Sequence, residues 1–277
     1  MDFQIIAVYC LCADLLKAME QRDDSQCQMT EAEVMTVGIV AALFFGGNYS
    51  LSRLFLKEQG YIPGMLGKSR FSRRIHRVKP MFLTLFSVMG ETWKELNEES
   101  IYAIDTFPIA VCDNLRIPRC QLYQDESYRG YIASKRRYFY GLKVHILVTK
   151  DGQPVEFFLT PGSMADVSGL QYFDFDLPEG ATIYADRAYN DYELEDVLNI
   201  AGLHFQPMRK KNLKRQFEPY IQFLQHHHRK RVETSISQTE QRFPKTIHAT
   251  SSGGFELKVV LLILAFSFRC ADEQVAT

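Results

Sequence analysis

The chain has 277 residues, 46% of them hydrophobic and 23% charged, proportions that allow a sizeable core in one or two domains. Its formal net charge of −1 excludes a polycation that would hold nucleic acid by bulk charge alone. The six cysteines include no C-x-x-C pair, which excludes the common zinc patterns and fits free thiols in a reducing cytosol, so a cytoplasmic chain is expected.

Met1 to about Asn97 is predicted to be helical. Phe3 to Met19 forms an apolar-rich helix; Asp2 at its start, the lack of a basic region and Asp14 inside the apolar run argue against a signal peptide. Thr30, with Glu33 three residues on, is a capping box that opens a second helix. Gly46 and Gly47 end it. Asn48 or Ser50 can cap a third helix running through Lys57. A Gly/Pro-containing turn from Gly60 to Gly67 follows, and Ser69 opens a long helical stretch interrupted before Pro80. From Leu51 to Pro80 there are eight Lys/Arg against the single acid Glu58. Arg70, Arg73, Arg74 and Arg77 recur at helical spacing and share one face, whereas Phe71, Ile75, Val78 and Phe82 share another. A helix so divided can lie against DNA phosphates; an exposed basic helix in a structural domain has the same pattern.

After Glu98 strands and helices alternate. Ile101 to Val111 is a predicted strand. Tyr138 to Thr149 and Val155 to Thr160 are two more, joined through Asp151-Gly152, a two-residue hairpin signal. Ala181 to Ala185 is a short fourth strand. Asn190 with Glu193 opens a helix that Gly202 closes, and Leu203 to Met208 is a fifth strand. A basic linker then leads to a helix from about His228 to Arg242, and a last helix starts near Ser251 or Ser252. Its apolar run, Val259 to Phe268, is far shorter than the roughly 20 residues that span a bilayer, so it is expected to be a buried helix and no membrane partner is expected. These elements divide the chain at 1–97 and 98–277. The fold class expected is α/β, with three antiparallel strands followed by strand, helix, strand and helix.

Two of the strands end alike, in Ala103-Ile104-Asp105 and Tyr184-Ala185-Asp186. A carboxylate at the rim of a sheet is costly to leave unpaired, and two close carboxylates repel unless a cation sits between them. Oxygen ligands alone favour Mg²⁺ or Mn²⁺. Two such ions suit phosphodiester chemistry and call for a third carboxylate. Glu233 is the candidate. It lies on a helix with Arg229 one turn earlier, in a segment from Met208 to Arg231 that carries eight Lys/Arg against Glu218 alone. A lone acid among bases is also what a salt-bridge partner looks like. Between these basic stretches, Asp166 to Asp196 holds nine acids against Arg187. Positive stretches flanking an acidic centre suit a polyanionic substrate processed on metal ions.

Three blocks, Ile104-Asp105-Thr106-Phe107-Pro108, Ala185-Asp186-Arg187-Ala188-Tyr189 and Arg229-Lys230-Arg231-Val232-Glu233, resemble the signature blocks of bacterial insertion-sequence transposases of the DDE class. The resemblance extends over nearly the whole chain and includes the Arg70–Arg74 helix. It implies an RNase H-like mixed sheet flanked by helices, preceded by a helical DNA-binding domain. It implies Asp105, Asp186 and Glu233 as catalytic metal ligands, two Mg²⁺ (or Mn²⁺) ions, double-stranded DNA as partner (the element's terminal inverted repeats and the target), and a homodimer that brings two ends together. Only 47 residues separate Asp186 from Glu233, leaving little room for an inserted domain. Many relatives carry a Tyr and a Lys where this chain has His226 and Glu240, residues that would help grip the DNA end. A catalytically silent DNA-binding relative and a stand-alone metal-dependent nuclease are the alternatives.

Several other residues have more than one reading. The run His226-His227-His228 fits a DNA-facing or solvent cluster better than a metal site, because adjacent histidines point apart on a helix. His145, in an apolar strand, is expected to be a hydrogen-bonded sheet residue. Asp166 is expected to cap a helix; Asp113, Asp125 and Asp191 look like loop or cap residues. Arg129, Lys135, Arg136, Arg137 and Lys143 interleave with Tyr128, Tyr131, Tyr138 and Tyr140, which fits either a DNA track or a strand edge protected by charge. The DNA-contacting set is completed by Lys210, Lys211, Arg229 and Arg231.

Overall fold

The computed structural model describes residues 1–132, 136–244 and 246–275; for residues 113, 114, 229, 231–233, 235, 236, 238–240, 242 and 275 it describes the backbone alone. In chain order the elements are α1 (Asp2–Ala18), α2 (Glu31–Phe44), α3 (Tyr49–Glu58), α4 (Lys68–Arg77), α5 (Lys79–Leu96), β1 (Ile101–Asp113), β2 (Arg129–Ile132), β3 (Arg137–Thr149), β4 (Pro154–Pro161), α6 (Asp166–Gly169), β5 (Thr182–Ala185), α7 (Tyr192–Ile200), β6 (His204–Pro207), α8 (Pro219–Arg242) and α9 (Ser252–Val275). Short 3-10 turns lie in three connections, β1–β2, α6–β5 and β5–α7.

The helical unit comprises Met1–Val88 and Arg242–Thr277. α2 runs through its centre, buried from Ala32 to Leu43, with α1, α3, α4 and α9 against it. An all-round apolar helix is stable only when neighbours cover every face. The capping box is present: the Thr30 side chain accepts from Glu33 N–H, and Glu33 accepts from Thr30 N–H at 2.7 Å. Asn48 caps α3 by accepting from Ser50 and Leu51 N–H. The break before Pro80 falls between α4 and α5, at Val78. α9 is buried along Val259–Phe268 and packs on α2 and α4. Compactness therefore divides the chain differently from the 97/98 boundary, because this last helix closes the first unit. Among the described residues no single helix is long and apolar enough to cross a membrane.

The second unit, Met89–Gln241, holds a six-stranded mixed sheet. β1 lies between β3, antiparallel, and β5, parallel; β6 follows β5 in parallel. β2 and β4 share the outer side of β3, pairing with Arg137–Tyr140 and Leu142–Val148 respectively. Antiparallel β4-β3-β1 continued by parallel β5 and β6, with helices on the crossovers, is the RNase H-like arrangement. The β3–β4 turn is longer than the expected two residues. Thr149 N–H donates to Gln153 O at 2.9 Å, leaving Lys150-Asp151-Gly152 as a three-residue loop with Gly152 at φ +90°. That loop geometry needs the left-handed residue that glycine supplies. Tyr102, Phe139, Phe205 and Ile183 are fully buried in this core, each stabilising by about 1.5–3 kcal/mol of apolar burial.

Candidate active site

The register of the two central parallel strands sets the site. Ile101, Tyr102 and Ala103 of β1 lie opposite Thr182, Ile183 and Tyr184 of β5. The pairing ends at Ala103 and Tyr184; carried two residues further, the same register would bring Asp105, within β1, level with Asp186, the first residue after β5. Both aspartates are half-buried. An Asp105 carboxylate oxygen accepts from Thr106 N–H at 2.8 Å. Asp186 accepts from Arg187 N–H and so caps the 3-10 turn Arg187–Tyr189.

That turn carries Tyr189 back to β1. Its hydroxyl hydrogen-bonds the Thr106 hydroxyl, which also lies 3.0 Å from His145 Nδ1; His145 Nε2 lies 2.9 Å from the Thr160 hydroxyl. A hydrogen-bonded chain thus runs from the residue after Asp105 to the turn after Asp186, and outward through β3 to β4. Burial pushes the Tyr189 hydroxyl well above its usual range, against the Thr106 hydrogen bond; the charges of Asp105, Asp166 and Asp186 add to the rise. His145 is 0% exposed, and burial pulls it down to about 4, partly offset by Asp166, so it is neutral at neutral pH. Phe158 stacks on its ring at 4.7 Å. On its other flank a Cβ at Gly169 would come within 2.4 Å of the imidazole, so only glycine fits there. His145 is the hydrogen-bonded sheet residue expected.

Asp166 does not cap a helix. Ala165 occupies the cap position, and Asp166 accepts from Lys143 Nζ at 2.8 Å. Lys143 also donates to Met164 O at 2.7 Å, so it is turned inward and not along a surface track. The helix after β5 also opens one residue later than expected. Asp191 caps α7 by accepting from Glu193 and Leu194 N–H, while Asn190 donates to Arg187 O and Met208 O.

α8 begins at Pro219, nine residues before His228. Proline is favoured at the first helical position, and no glycine interrupts the segment that follows. Gln225, buried, reaches Gln206 O of β6 at 3.4 Å, and the His228 ring stacks on Tyr184 of β5 at 5.2 Å. Three helical residues advance about 4.5 Å, close to one strand spacing, so α8 crosses β6 and then β5 in the direction of β1. The side chains of Arg229, Arg231 and Glu233 lie outside the described residues. Among the described residues no three His, Cys, Asp or Glu side chains form a group able to hold a metal ion.

The DNA-contacting candidates divide by position. Arg70 and Arg73 are exposed on α4. Arg74, on the same helix, donates to Met29 O at 2.5 Å and lies 3.6 Å from Asp23. Arg77 pairs at 2.9 Å with Glu31, whose side chain is 6% exposed. Half of the basic face therefore holds the start of α2. Arg136 and Arg137 are exposed between β2 and β3, beside the Tyr131–Tyr138 ring pair at 4.9 Å; Arg129 lies 4.3 Å over Tyr138. Lys135 lies outside the described residues. Lys210 and Lys211 are exposed, whereas their neighbour Arg209 is buried between Glu195, Asn190 and the rings of Tyr192 and Phe217.

Residues 95–248, more than half of the chain, match the transposase DDE domain family, and the chain belongs to that family. No curated protein matches it by sequence. A solved structure of the piggyBac transposase synaptic complex with hairpin DNA aligns at a TM-score of 0.45 and 9% identity, covering 94% of this chain and 70% of that one. This likeness of shape is too loose to assign residues.

Proposed function

We propose that this member of the transposase DDE family cuts the ends of its own mobile element and joins them to target DNA at one site, where Asp105, Asp186 and Glu233 hold two divalent ions, Mg²⁺ or Mn²⁺. The observation that carries the reading is the parallel register of β1 and β5, whose continuation by two residues would bring Asp105 level with Asp186. Two hard carboxylates brought to one level fit a cation that takes oxygen ligands. The path of α8 across β6 and β5 supports Glu233 as the third ligand. When bound, two such ions neutralise charge on the attacking and leaving oxygens of an in-line phosphoryl displacement.

The chain's own part is positioning. The Thr106–Tyr189 hydrogen bond holds the two aspartate-bearing segments at fixed separation, and the neutral His145 anchors that bond to the sheet. Arg70 and Arg73 contribute cations that can face DNA phosphates of the inverted repeats. Water attacks the phosphorus at the element end and releases a 3′-hydroxyl. That hydroxyl then attacks a target phosphodiester, and the target 3′-oxygen leaves with a proton. Two ends must be joined together, so a homodimer is the expected working form.

The test is an incubation of the protein with DNA bearing its element's flanking inverted repeats, target plasmid and Mg²⁺ or Mn²⁺. Joint products are expected from the native chain, whereas Asp186→Asn should still bind the ends but neither cut nor join them. Cut ends without joint products would replace the reading with a nuclease. Binding without cutting by the native chain would replace it with a silent DNA-binding relative.

A further inference from the structure

A cavity lies wholly within the helical unit, apart from the carboxylates. It has a volume of about 390 Å³ and lies between the start of α3, the start of α4, the 246–248 segment and α9. Four basic side chains line it: Arg53, Lys68, His248 and Lys258. No carboxylate does so among the described residues. Cationic side chains at a cleft are ordinarily paired with an acid or spread into solvent. Among the described residues Lys258 has only a backbone partner, donating to His248 O at 2.7 Å, and its ammonium sits 5.0 Å from the Tyr49 ring. Burial pulls its pKa down, which marks a charge held out of water without an anion.

Two further groups in the same wall lack partners. The Tyr49 hydroxyl and the Arg53 Nε are both buried and make no hydrogen bond among the described residues. The Arg53 guanidinium is held by Leu66 O and lies 5.5 Å over the Phe71 ring, so its remaining donors are fixed in place. The Tyr49 hydroxyl and the Arg53 Nε are sealed from the cavity by their surroundings, whereas Arg53, Lys68 and Lys258 line it with no carboxylate among the described residues, an arrangement that favours an anionic acceptor. The volume far exceeds the roughly 30 Å³ share of one water and falls in the range of small-ligand sites, which start near ~300 Å³.

We propose that this cavity binds a phosphate group, with Lys258, Arg53 and Lys68 supplying charge. The same chemistry can come from a DNA strand or from a free nucleotide. The strand source rests on the transposase reading; the site itself does not, since it needs neither Asp105 nor metal.

Calorimetric titration of the full chain without metal, using inorganic phosphate, a nucleoside 5′-monophosphate, its uncharged nucleoside and a short 5′-phosphorylated DNA strand, tests this. Binding of at least one phosphate-bearing probe and none of the nucleoside is expected. Lys258→Met should weaken that binding at least tenfold. Lys68→Ala, at an exposed position where folding is not at stake, should weaken it severalfold. Preference for the strand assigns the site to DNA, and equal binding of the monophosphate assigns it to a free nucleotide; both support the site. Absence of binding by every phosphate probe, or binding unchanged in both variants, overturns it. A chain that fails to cut DNA yet binds phosphate here would separate the failure of the transposase reading from that of the site.

Discussion

The Thr106 hydroxyl, one residue beyond Asp105, is hydrogen-bonded to the Tyr189 hydroxyl, three residues beyond Asp186. Asp105 lies within β1 and Asp186 just after β5, and this bond ties β1 to the turn that follows Asp186. Tyr189→Phe should therefore leave the fold intact while loosening the carboxylate pair. The expected loss is about 1–2 kcal/mol of stability from one buried hydrogen bond, together with a drop in end cleavage of roughly tenfold or more from misplacement. Thr106→Ser keeps the hydroxyl and should retain most of the rate, whereas Thr106→Val should behave like Tyr189→Phe. Denaturant melts and single-turnover cleavage of the four proteins would check this; equal rates for Thr106→Ser and Thr106→Val would refute the role of the bond.

Burial holds His145 at about 4, below the value near 6.5 of an unfolded histidine. Between those two values the unfolded chain binds the proton and the folded chain does not, so stability falls as pH drops from about 6.5 toward 4. The upper bound on this contribution is about 3 kcal/mol, from roughly 1.4 kcal/mol per pK unit. His145→Gln, which keeps hydrogen-bonding capacity but cannot titrate, should show a flatter acid limb in urea unfolding measured from pH 7 to pH 4. An identical limb in both proteins would place the acid sensitivity elsewhere.

Gly169 packs against the same imidazole. Gly169→Ala puts a methyl 2.4 Å from its ring and should cost about 1–3 kcal/mol, the usual penalty of overpacking. A thermal melt within error of the native chain would mean that the ring can move aside.

The four arginines of α4 should separate into two pairs. Arg70→Ala and Arg73→Ala should each weaken DNA binding and reduce its salt dependence by about one counterion, with stability unchanged within about 0.5 kcal/mol. Arg77→Ala should instead destabilise by about 1–3 kcal/mol, because it leaves the buried Glu31 carboxylate without its cation. Filter binding over a range of salt and denaturant melts resolve the two effects. Equal losses of affinity with no loss of stability across all four positions would contradict the division.

Much of this architecture was legible in the sequence because it is governed locally. The Thr30–Glu33 box, the Asn48 cap, the break before Pro80 and the short strand that stops just before Asp186 each follow from short-range chemistry that tertiary contacts reinforce, whereas β1 runs on through Asp105 to Asp113 rather than ending there. What escaped depends on where distant segments land. Nothing near Val259–Phe268 indicates that this helix packs against α2. The arginine spacing on α4 defines a face but not the arrival of Glu31 and Met29 against half of it. Asp166 has the residue type of a cap, and only the fold brings Lys143 to it. The start of α8 was hidden by its basic and histidine-rich context, although Pro219 is a helix-opening signal. Tyr189 and Thr106 were visible as motif positions, but their mutual bond needs the β1–β5 register. The Arg209 side chain, part of a basic stretch by sequence, proves to be buried against Glu195, Asn190 and two aromatic rings.

The most direct measurement is cleavage of end-bearing DNA in Mg²⁺ or Mn²⁺ by the native chain, Asp105→Asn and Asp186→Asn, with DNA binding followed in parallel. The register of β1 and β5 predicts that either substitution abolishes metal-dependent cutting while binding persists. Cutting at the native rate by Asp105→Asn would contradict it, since a shared site cannot lose one of its two facing carboxylates and keep its chemistry.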